Sequence, residues 1–183
     1  MKKIGIAAGV GTIALLAAPI ALSDTADRVG TNLIGYQEVP AISTTGTGEF
    51  HARISDDESS ITYVLTYRDM ESTVTQAHVH FGQRSVNGGI SIWLCGNPTP
   101  PGVTPAITPP AGTPACPPSP ATVQDTVTAT DVVGPSAQGI APGQLAELIR
   151  AIRAGVAYAN VHTATFPGGE IRGQLEGRRH GHH

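Results

Sequence analysis

Along this chain apolar residues alternate with polar ones in several short stretches, and in one stretch they recur at the period of a helix. Ile61, Tyr63, Leu65 and Tyr67 alternate with Thr62 and Thr66 between them, which predicts a half-buried strand rich in β-formers. Glu49 to Ile54 alternates in the same way and precedes it. The polar cluster Asp56-Asp57-Glu58-Ser59-Ser60 joins the two into a predicted hairpin. That acidic cluster lacks the regularly spaced oxygens and the distal Glu of a calcium loop, so it reads as a solvated turn. A second hairpin is predicted from Ala77 to Phe81 and from Ile90 to Leu94, with Asn87-Gly88-Gly89 as a tight turn between them.

Further on, Val123, Val127 and Ala129 mark another strand, ending near Asp131-Val132-Val133-Gly134-Pro135. The period then changes. Leu145, Leu148, Ile149 and Ile152 fall at i, i+3, i+4 and i+7, and Gly155 follows as the helix stop. Strands return at Val156 to Thr163 and at Glu170 to Leu175, around the turn Phe166-Pro167-Gly168-Gly169. The expected fold class is therefore mainly β: an antiparallel β-sandwich, Ig-like or superoxide-dismutase-like, with one short amphipathic helix near residues 143–154. No internal repeat of fixed period is present, which excludes a solenoid or propeller.

Between these elements, residues 97–120 are dense in Pro, Gly and Thr and offer little to bury. An exposed loop is expected there. Its base carries Cys95 and Cys116, the only two cysteines of the chain. Met1-Lys2-Lys3, the apolar run from Ile4 to Leu22 and the small residues Ala21 and Ser23 read as a signal peptide over residues 1–23. Export to an oxidising compartment makes a Cys95–Cys116 disulfide the expected state, ahead of two thiolate metal ligands.

Removal of the signal leaves roughly 160 residues, enough for one domain with a real core. Residues 24–31 read as a short linker, 32–177 as the domain and 178–183 as a His-rich tail able to bind metal weakly. A net charge of −3 with scattered arginines gives no patch for a polyanion, so nucleic acid is not an expected partner. No lipidated Cys follows the apolar run and no second apolar stretch ends the chain, so no membrane association is expected after cleavage. The expected location is outside the cytoplasm: secreted, periplasmic or at the cell surface.

Four segments in order carry a family likeness. They are Leu33-Ile34-Gly35-Tyr36-Gln37-Glu38-Val39-Pro40, Ala77-His78-Val79-His80, Asp131-Val132-Val133-Gly134-Pro135, and Asn160-Val161-His162-Thr163 running on to Pro167-Gly168-Gly169-Glu170-Ile171-Arg172-Gly173-Gln174. Together they resemble a CHRD (chordin-type) domain from about Asn32 to Leu175. The resemblance implies an extracellular β-sandwich module and supplies no reaction. In chordins such domains belong to secreted antagonists of bone morphogenetic proteins. This chain carries none of the cysteine-rich modules that grip those growth factors, so that role does not transfer.

His78 and His80 stand at i and i+2 of a predicted strand and project from one face, opposite Ala77, Val79 and Phe81. Two imidazoles so placed need only a third ligand from a neighbouring strand to hold copper or zinc. His162 is the expected third ligand and His51 a candidate fourth. The His-Val-His strand also looks locally like the copper-binding strand of Cu/Zn superoxide dismutase. The bland alternative is that His78 and His80 are polar residues on an exposed sheet face, with His162 hydrogen-bonded at a strand end. Glu170 and Arg172 share a strand face, which a surface ion pair explains as well as an acid–base role does.

No phosphate loop, serine elbow or carboxylate pair is present. The leading expectation is thus a non-enzymatic module binding an extracellular protein or surface component, with a His-based metal site in reserve. The alternative is a copper-dependent redox or superoxide-handling protein using His78, His80 and His162, with Arg84 or Arg172 as a charged guide.

Overall fold

The structure is a computed structural model, and it describes residues 27–99 and 106–177. The expected signal peptide, the His-rich tail and residues 100–105 of the Pro-rich segment lie outside the described residues. Among the described residues nine strands are present: β1 (Arg28–Ile34), β2 (Thr47–Ile54), β3 (Ser60–Arg68), β4 (Val74–Phe81), β5 (Gly89–Gly96), β6 (Ala121–Thr128), β7 (Ala157–Thr163), β8 (Ile171–Gln174) and β9 (Glu176–Gly177). One helix, α1 (Leu145–Arg153), stands before β7. The protein is therefore mainly β with a single short α-helix among the described residues, as the pattern of its sequence predicts.

All pairings are antiparallel, in the order β5-β4-β7-β8-β1-β2-β3-β6, with β9 also on β1. The two halves of this sheet meet at β1. Ile34 pairs with Arg172, Gly30 with Glu176 and Val29 with Gly177, so β8 and β9 follow one register along β1. The sheet then curls until its two end strands approach. The Tyr63 hydroxyl on β3 donates to the Leu94 carbonyl on β5 at 2.6 Å, and the Cys95–Cys116 disulfide ties β5 to the segment leading into β6. The result is an almost barrel-like sheet around one core, which includes Leu33, Phe50, Ile61, Leu65, Ile92 and Leu94.

Helix α1 closes this core. Leu145, Leu148, Ile149 and Ile152 are buried while Arg150 and Arg153 face solvent, as the i, i+3, i+4, i+7 spacing requires. Full burial of a side chain such as Leu148 contributes roughly 1.5–3 kcal/mol. Gly155, at φ +70°, takes the left-handed position just beyond the helix end. The polar cluster after β2 is also a turn, in which Asp57 accepts hydrogen bonds from the hydroxyls of Ser55 and Ser59.

Three features depart from the expectations. β1 begins at Arg28, earlier than the domain start read at Asn32, and its alternation is weak because only Val29 and Leu33 are fully buried. β9 is too short to leave a pattern. The expected tight turn at Asn87-Gly88-Gly89 is a wider loop from Gly82 to Gly88, in which a Cβ on Gly88 would overlap the backbone carbonyl of Phe81.

The base of the Pro-rich segment is pinned twice. Besides the disulfide, Asn97 donates to the carbonyls of Val74 and Cys116 and accepts from the Cys116 N–H. Replacing both cysteines by Ser is expected to cost up to about 3 kcal/mol, because the bridge closes a loop of 21 residues in the unfolded chain. Urea unfolding of the wild type with and without reductant checks this, and intact mass before and after alkylation must show no free thiol in the native protein.

Candidate metal centre

The site is built by the register between β4 and β7. His80 pairs with Tyr158, His78 with Asn160 and Gln76 with His162, so His162 lies diagonally across from His78 on the same face. On the other flank β4 pairs with β5 through two register shifts, between Ala77 and His78 and between Val79 and His80. Such irregularities re-aim side chains locally. Here they set His78 opposite Trp93, whose ring meets the imidazole edge-on at 4.3 Å.

Three imidazoles converge as a result. The ring centres of His78 and His80 are 5.3 Å apart, those of His78 and His162 5.0 Å, and those of His80 and His162 6.4 Å. Each offers one ligand nitrogen, and these nitrogens all lie within 4.8 Å of one another. Nitrogens this close could serve one ion, and zinc takes imidazole nitrogen at about 2.0–2.1 Å.

Backbone carbonyls fix which nitrogen is free. His162 Nδ1 lies 2.9 Å from the Pro167 carbonyl and His80 Nδ1 2.9 Å from that of Gly88. A carbonyl only accepts, so both Nδ1 atoms carry the proton and both Nε2 atoms keep a lone pair. His78 Nδ1 stands 3.2 Å from His162 Nε2 and donates to it. The Nε2 atoms of His78 and His80 are buried without a hydrogen-bond partner. Left unpaired, such atoms cost on the order of 1–3 kcal/mol each.

All three rings are buried, His78 at 1% exposure. Burial drives the His78 ring down to about 2, helped by the neighbouring His162 and His80. Burial likewise lowers His80 and His162 to about 4, against the opposing pull of the Gly88 and Pro167 carbonyls. The three are therefore neutral near pH 7, the form that ligates metals.

Around them lies a shell in which the sequence patterns single out Arg172 only as a charged guide and do not single out Tyr158. The Tyr158 ring stacks on His80 at 4.7 Å with an interplanar angle of 2°, and the Arg172 guanidinium sits 3.4 Å over the Tyr158 ring. Arg172 is 2% exposed and donates to the carbonyls of Gln83 and Val86 and to Asn87 Oδ1. Gly88 joins the two sides, since its N–H donates to the Tyr158 hydroxyl while its carbonyl takes the His80 proton. Glu38, buried beside Arg172 and Asn160, is pushed up to about 7 by burial, with Arg172 opposing. The signal for Tyr158 and Asn160 was available, because they precede His162 at two-residue steps on β7.

Other expectations need correcting. His51 sits on β2 with its side chain about half exposed and 3.4 Å from Glu49, apart from the three converging histidines. Glu170 and Arg172 are not a surface ion pair: both are buried. Glu170 accepts from the Thr44 hydroxyl, the Thr163 hydroxyl and the Glu71 N–H. Arg84, exposed on the loop, pairs with Glu176.

The fold and the cluster define a β-rich module with three buried imidazoles gathered on one sheet face. The CHRD domain family model matches residues 29–175, and the chain belongs to the CHRD-domain family. Comparison with curated proteins and with solved structures finds no match.

The depressed histidines fix a pH dependence for the metal-free protein. Between about 4 and 6.5 the unfolded chain takes up protons on these imidazoles that the folded chain cannot hold, so stability falls as pH falls through this window. Glu38 acts with the opposite sign, because its folded carboxyl stays protonated above the ordinary value of 4.5. Urea midpoints are expected to drop from pH 6.5 to pH 4.5, and more steeply in Glu38→Gln. A flat wild-type profile would contradict the burial of neutral imidazoles.

Proposed function

We propose that this protein is an exported CHRD module that holds a copper or zinc ion on His78, His80 and His162. It serves as a binding or structural unit outside the cytoplasm, and its partner is an extracellular protein or surface component. The observation that carries the metal reading is the set of three buried imidazoles with ligand nitrogens within 4.8 Å of one another. Two of these rings are oriented by backbone carbonyls, and two buried nitrogens lack any hydrogen-bond partner. The Cys95–Cys116 disulfide supports the location, since such bridges persist in oxidising compartments. No helix among the described residues is long and apolar enough to cross a membrane.

The redox alternative uses the same three ligands. It loses its charged guide, because Arg172 is buried against Tyr158 and Arg84 is paired with Glu176. Superoxide-dependent turnover by copper-loaded protein would restore it.

Elemental analysis of protein lacking residues 178–183 is expected to find close to one copper or zinc per chain, and His78→Ala is expected to lose it. Equal metal content in wild type and His78→Ala would defeat the proposal. For the partner, retention on intact producing cells is compared between the wild type and a deletion of residues 98–114. Loss of retention in the deletion assigns the contact to the Pro-rich segment, and no retention of either protein removes the surface reading.

A further inference from the structure

We propose that the stack of Arg172 on Tyr158 on His80 makes the centre selective for monovalent copper over divalent copper and zinc. This inference rests on the metal reading above and names the ion that the site takes.

The ligand set comes first. Three neutral imidazoles form the group, and among the described residues no carboxylate or thiolate joins it. An ion bound there keeps its full charge inside a buried pocket, His78, His80 and His162 being at most 8% exposed. The cost of holding charge in such surroundings rises with the square of that charge, so a divalent ion is penalised far more than a monovalent one. Zinc also seeks a fourth donor to complete its tetrahedron. The closed-shell cuprous ion is satisfied by three nitrogens.

A fixed cation comes second. The Arg172 guanidinium lies 3.4 Å over the ring of Tyr158, and that ring lies 4.7 Å from His80. Its positive charge thus acts on the His80 side of the pocket. Repulsion of this kind is felt twice as strongly by a doubly charged ion. Glu38 is the carboxyl that offsets Arg172, and burial drives it toward its neutral form. Arg172 is held in place by the carbonyls of Gln83 and Val86 rather than by a carboxylate partner. Its charge therefore remains available to the pocket.

The test uses the chain with His180, His182 and His183 replaced by Ala, so that the tail contributes no ligand. Cuprous ion is supplied without oxygen from its bathocuproine disulfonate complex, and cupric and zinc ions from chelators of known affinity. The expected result is one cuprous ion per chain, held more tightly than either divalent ion. Arg172→Met is expected to reduce the preference for cuprous over cupric copper on the order of tenfold. For a one-electron couple that corresponds to a reduction potential lower by about 59 mV. Glu38→Gln at pH 8 is expected to move the potential the other way, and this near-isosteric change decides the matter if Arg172→Met does not fold. Tighter binding of zinc or cupric ion, or equal potentials in wild type and Glu38→Gln, overturns the selectivity and leaves the metal centre intact. Binding of none of the three ions overturns both.

Discussion

The pairing of β4 with β7 is the constraint on which the site depends. Because side chains alternate along a strand, a slip of one residue would turn His78 and His80 away from His162 and send Ala77 and Val79 into their place. The register is held from both faces. Ala77, Val79, Ala159 and Val161 are buried in the core on one side, while the imidazoles, Tyr158 and Asn160 fill the other. Every residue of β7 is buried, so neither face tolerates a shift. A hydrophobic core thus fixes the position of a polar cluster.

Loops supply the rest of the geometry. The carbonyls that orient His80 and His162 come from Gly88 and Pro167, neither of which lies in a strand. Gly88 is confined to glycine by the carbonyl of Phe81, and a Cβ on Gly169 would collide with the carboxylate of Glu38. The Tyr-Gln-Glu-Val-Pro and Pro-Gly-Gly-Glu segments are therefore in contact, although far apart in sequence. This contact sets the Glu38 carboxyl within electrostatic reach of Arg172.

That pocket pairs polarity with burial. Buried neutral imidazoles, a guanidinium held by carbonyls and a carboxyl lifted toward neutrality are each unfavourable alone. The surrounding sheet holds them together, and the disulfide and the Asn97 contacts keep the far edge of that sheet closed. The Nε2 atoms of His78 and His80, together with Glu38 Oε1 and Asn160 Oδ1, are buried polar atoms of this arrangement that no hydrogen bond satisfies.

Local pattern was enough for the strands β2 to β8, the helix and the partners of the disulfide, because alternation, helical period and turn residues act over a few residues. It was also enough to place His78 and His80 on one face and to select His162 as their third partner. It did not reveal β1, whose inward positions are interrupted, and it assigned Glu170 and Arg172 to the surface because strand alternation does not distinguish a solvent face from a second buried one. The separation of His51 from the trio, the Tyr158 and Arg172 stack, and the carbonyls that set the histidine tautomers were decided only by tertiary structure. They depend on which strands become neighbours and how the loops between them fold back, and those relations arise from packing across the whole sheet.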